Sequence, residues 1–62
     1  MDIKLELENV DEDEMYALAN FLKRVGFEDY RRNAESHFQA TQISIAVTRL
    51  QSAIERAGYE VW

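Results

Sequence analysis

Sixty-two residues with twelve acids, seven bases, no cysteine, no proline and two glycines describe one small domain, spanning residues 1–62. Such a chain buries only about 60% of the surface that it exposes when unfolded, and it has neither a disulfide framework nor thiolate metal ligands to compensate. A hydrophobic share of 47% opposes disorder, while the lack of a leader or a spanning apolar stretch leads us to expect a soluble cytoplasmic protein without a membrane partner.

Residues 2–8 alternate. Ile3, Leu5 and Leu7 fall on one side, with Asp2, Lys4, Glu6 and Glu8 on the other. Period two with one apolar face predicts a half-buried β-strand. A lone strand leaves its backbone donors and acceptors without partners. The tail Tyr59–Trp62 could supply a short second strand, or the same strand of another copy could pair with it.

The spacing predicts a helix from Asp11. Asp11 with Glu14 three places on forms a capping box, and Glu12, Asp13 and Glu14 suit the positive end of the helix dipole. Met15, Leu18, Leu22 and Val25 then share a face with Phe21 at its edge, and Gly26 ends the helix behind Lys23 and Arg24. Residues 28–34 could add a short middle helix. Ser36 with Gln39 caps a longer helix whose stripe Ile43, Ala46, Val47, Leu50, Ala53, Ile54, Ala57 keeps the 3.6-residue period and stops at Gly58. Gly26-Phe27 and Gly58-Tyr59 both resemble Schellman endings, with Phe27 packing on Leu22 and Tyr59 on Ile54. The fold class expected is therefore α+β and mainly helical: an N-terminal strand, two main helices, an optional middle helix and a short C-terminal strand.

Catalytic and metal-binding patterns are missing. His37 and Ser36 lie about 100° apart on a helix start and do not converge as a nucleophile–base pair must, so Ser36 reads as a cap and His37 as a surface residue. Asp11 and Asp13 alternate like calcium ligands, but no central glycine or distant bidentate glutamate follows. Both glycines end helices, so no phosphate-cradling loop is present. We expect no enzyme activity, no metal and no cofactor.

Charge is distributed unevenly. Residues 2–14 carry a balance of −6 and residues 15–62 a balance of +1. The helix dipole accounts for Glu12, Asp13 and Glu14 but not for Asp2, Glu6 and Glu8. Asp2, Glu6, Glu8, Asp11, Glu12 and Asp13 are thus the candidate partner-binding residues, for a basic protein surface. The cluster Lys23, Arg24, Arg31 and Arg32 is balanced by Glu28 and Asp29 on a chain of net −5, which opposes direct nucleic-acid binding, and a small DNA-binding regulator ranks last because the long helix carries only Arg49 and Arg56.

Phe38 and Ile45, seven residues apart, lie well away from the Ile43–Leu50–Ile54 stripe. With Trp62 they are the candidate self-association residues of a homodimer. A homo-oligomerising structural or accessory module is the alternative function.

The stretch Ala17–Ala34, with Phe21-Leu22-Lys23-Arg24, Gly26-Phe27 and Asp29-Tyr30-Arg31-Arg32, and later Ala57-Gly58-Tyr59, resembles a small uncharacterised domain family of bacteria, phages and mobile elements, over about half of the chain. The resemblance brings no catalytic residue. It implies a mobile-element setting, in which small acidic proteins inhibit host defence complexes, CRISPR interference machinery among them, by occupying a basic, nucleic-acid-binding site. The chain departs from the family at Glu35–Gln39 and at Tyr59–Trp62.

Overall fold

In the computed structural model, residues 1–60 are described and form three helices: α1 (Glu12–Arg24), α2 (Phe27–Asn33) and α3 (His37–Arg56). The expected N-terminal strand is absent: no strand occurs among the described residues, and residues 1–10 form an irregular, exposed arm. The architecture is therefore all-helical, not α+β. The physical reason is the missing ladder. Tyr59 is occupied in the ending of α3, so alternation alone leaves residues 2–8 without a strand to bond. The expected C-terminal strand is likewise absent at Tyr59 and Glu60, and its last two residues lie outside the described ones.

Each main helix starts where its cap predicts. The Glu14 N–H donates to Asp11 Oδ1 and the Asp11 N–H to Glu14 Oε1, both at 2.8 Å, closing the capping box of α1. Ser36 Oγ accepts from the Gln39 N–H at 3.1 Å, while Gln39 Oε1 reaches back to the Glu35 N–H at 2.7 Å. At the other end of α3, the Tyr59 N–H bonds the Ile54 carbonyl (3.2 Å) and the Gly58 N–H the Glu55 carbonyl (2.9 Å), with Gly58 at φ +103°. That is a Schellman ending, and Tyr59 packs onto the core cluster that contains Ile54.

Gly26 behaves differently from Gly58. Its φ is −132°, which is extended backbone, and it serves as the N-cap of α2. Asp29 decides this by accepting the Gly26 N–H at 2.9 Å. The bond draws the chain into a new helix before α1 can close as a Schellman motif.

Helix α3 packs on both α1 and α2. Met15, Ala19, Leu22 and Ile54 form the buried core, with Leu18, Val47, Leu50 and Tyr59 half-buried around them. Ala40 is also fully buried, while Ala46, Ala53 and Ala57 are exposed. The buried face of α3 is thus rotated from the expected stripe toward Ala40, Val47, Gln51 and Ile54. Gln51 is the buried polar residue, and its Nε2 donates to the Leu22 carbonyl at 2.8 Å. That carbonyl would bond the Gly26 N–H if α1 continued, but Asp29 holds the latter, so Gln51 supplies the donor.

Candidate protein-binding surface

Three of the candidate acids stand on the arm and three at the N-cap and first turn of α1. Asp2, Glu6, Glu8, Asp11, Glu12 and Asp13 are all exposed. Among the described residues none of them pairs with a lysine or arginine, both observed ion pairs being internal to α2. Their roles nevertheless differ. Asp11 is a structural cap, its carboxylate engaged by the Glu14 N–H. Glu12 and Asp13 point about 100° apart around the helix start, where the dipole favours both. Asp2, Glu6 and Glu8 have no structural duty. Between arm and helix, Asn9 adopts a left-handed φ of +57°, a conformation that asparagine tolerates better than most residues, and so turns the arm just before the helix start.

The basic cluster is divided. Arg31 pairs with Glu28 at 3.7 Å and Arg32 with Asp29, both exposed, whereas Lys23 and Arg24 occupy the last turn of α1 and complement its dipole. The Gly26 backbone N–H, helped by Arg32, holds the Asp29 carboxyl below its ordinary value of 3.8. The four cations therefore do not converge on one ligand position.

Of the self-association residues, Phe38 is 73% exposed and Ile45 44%. At about 100° per residue both face away from Val47 and Ile54, on the rear of α3. Trp62 lies outside the described residues. His37 stacks edge-on against Phe27 at 5.7 Å, and Tyr16 against Tyr59 at 5.4 Å. Among the described residues no three histidine or acidic side chains converge as metal ligands, and no helix is long and apolar enough to cross a membrane.

Sequence reasoning missed one surface. Phe21, 60% exposed, rims an open groove of about 230 Å³ with Val25, Tyr30, Ile43 and Val47. The signal was its place at the edge of the α1 face, where a large side chain covers only part of a neighbour.

A family model matches residues 1–61, that of a family of unknown function (DUF7706), so the match reaches well beyond the central motifs and takes in both the arm and α3. No curated protein and no solved structure matches the chain.

Proposed function

The chain belongs to the DUF7706 family of unknown function, and we propose that it acts as a non-enzymatic binding protein whose anionic leading segment captures a basic protein surface. One observation carries this reading: six exposed carboxylates between residues 2 and 13, none paired with a cation of the described chain. Among the described residues Asp2, Glu6 and Glu8 make no contact that holds the fold together, yet surface charge of one sign accelerates encounter with a partner of the opposite sign. The arm adds Ile3, Leu5 and Leu7, all exposed, so the same segment offers apolar contact once charge has brought a partner close.

The partner class that fits best is a protein whose basic site otherwise holds nucleic-acid phosphates, since carboxylates present the same charge and the same acceptor oxygens. A nucleic-acid-guided defence complex in a cell carrying mobile elements is the specific target that we propose. The test uses the chain as bait in a lysate of its source cells, beside a variant with Asp2→Lys, Glu6→Lys and Glu8→Lys, which leaves the Asp11 cap intact. The expected result is a basic protein retained by the unmodified chain and lost from the variant. Equal retention by both baits would refute the proposal.

A further inference from the structure

Two physical measures say that the chain on its own is short of cover. Its accessible surface is 5330 Å², against about 4,200 Å² for a folded monomer of 7.3 kDa. Its radius of gyration is 12.6 Å, against about 10.6 Å for a compact chain of this length. The excess of about 1,100 Å² exceeds one side of a standard interface, about 800 Å². Part of it belongs to the arm. On the rear of α3, Phe38 and Ile45 stand exposed one heptad apart, turned away from Val47 and Ile54.

We propose that the rear face of α3 is the interface of a homodimer in which two α3 helices pack antiparallel, with Phe38 of each copy against the second copy's Ile45. Alternatives of the same shape are decided by charge. A parallel pair stacks Arg49 on Arg49 and Arg56 on Arg56 and aligns the two helix dipoles, all of which repel. An antiparallel pair centred on Ile45 sets Phe38 against the second copy's Ser52, a hydroxyl instead of an apolar partner. Centring between Thr41 and Gln42 buries Phe38 on Ile45 twice. It also sets Glu35, just ahead of the N-cap of each α3, beside the second copy's Arg49, twice. Glu35 and Arg49 are both exposed, and neither has an ion-pair partner among the described residues. Thr41, beside the centre of the overlap, is small enough to let the helices approach. This interface is independent of the anionic arm, so its failure and that of the proposed binding role are separable.

Sedimentation equilibrium of the full chain, up to about 1 mM, should give the mass of two chains, and Ile45→Asp the mass of one with unchanged far-ultraviolet helicity. Phe38→Ala serves as a milder second disruption should Ile45→Asp unfold. Glu35→Arg and Arg49→Glu should each weaken the dimer about tenfold, and the double variant should restore it. Because the chain has no cysteine, a spin label at Arg56→Cys reports the register. Labels should lie about 44 Å apart along the axis, against about 33 Å for the Ile45-centred pair and about 10 Å for a parallel one. A single-chain mass throughout the concentration range, either shorter distance, or a double variant no tighter than the singles would overturn the proposal.

Discussion

Replacing Gln51 with leucine should destabilise the domain even though it makes the core more apolar. The Gln51 side chain is buried and spans from α3 to the last turn of α1, where its amide donates to the Leu22 carbonyl at 2.8 Å. Leucine nearly fills the same volume, so packing changes little. What is lost is the donor, and the Leu22 carbonyl has no replacement because the Gly26 N–H is held by Asp29. A buried acceptor left bare costs about 1–3 kcal/mol. For a domain of this size each kcal/mol moves the midpoint by about 4–8 °C, so Gln51→Leu should melt at least several degrees lower, followed by circular dichroism at 222 nm. Gln51→Glu should be worse at neutral pH, since a carboxylate would face a carbonyl oxygen. An unchanged or raised midpoint for Gln51→Leu would refute the reasoning and make the hydrogen bond incidental.

Three further outcomes follow from the caps. Asp11→Ala removes the side-chain half of the α1 capping box, the Oδ1 that accepts the Glu14 N–H, and should cost about 1 kcal/mol in urea unfolding. The two glycines should respond differently to alanine: Gly58→Ala, at φ +103° with open space around it, should lose about 1 kcal/mol to strain, whereas Gly26→Ala, in extended backbone, should change stability little, its gain in unfolded-state entropy offset by the poorer N-cap. Asp29 has its pKa lowered in the folded state, first by the Gly26 N–H and then by Arg32. Its contribution is therefore present above the ordinary value of 3.8 and is lost as pH falls through the lower folded value. The urea midpoint should accordingly fall more steeply in acid for the unmodified chain than for Asp29→Asn; parallel curves would contradict the assignment.

The helices could be read from residues because their signals are local. Asp11 with Glu14, Ser36 with Gln39, and Gly58 with Tyr59 each depend on partners within six positions, and each forms as expected. The structure departs from expectation where a distant group decides the outcome or where two local signals compete. Alternation over residues 2–8 specifies a strand only if another strand accepts its hydrogen bonds, and no described segment does so. Gly26 shares the glycine–aromatic pattern of Gly58, yet Asp29 takes its N–H and converts a helix stop into a helix start. The buried face of α3 is rotated from the apolar stripe because apolar periodicity passes over Gln51, whose position between Val47 and Ile54 places it over the open end of α1. The acids of the arm were legible as exposed charge, whereas the division of labour that makes Asp11 a cap and leaves Asp2, Glu6 and Glu8 without structural duty needed the geometry.

The binding role of the anionic arm is tested most directly by the salt dependence of association. The rate constant for the chain and its captured partner would be measured between about 50 and 500 mM salt, where the screening length contracts severalfold. Electrostatic capture predicts a steep fall in that rate for the unmodified chain, and a low, nearly flat rate when Asp2, Glu6 and Glu8 are lysine. The same rate at every salt concentration, in both chains, would contradict it.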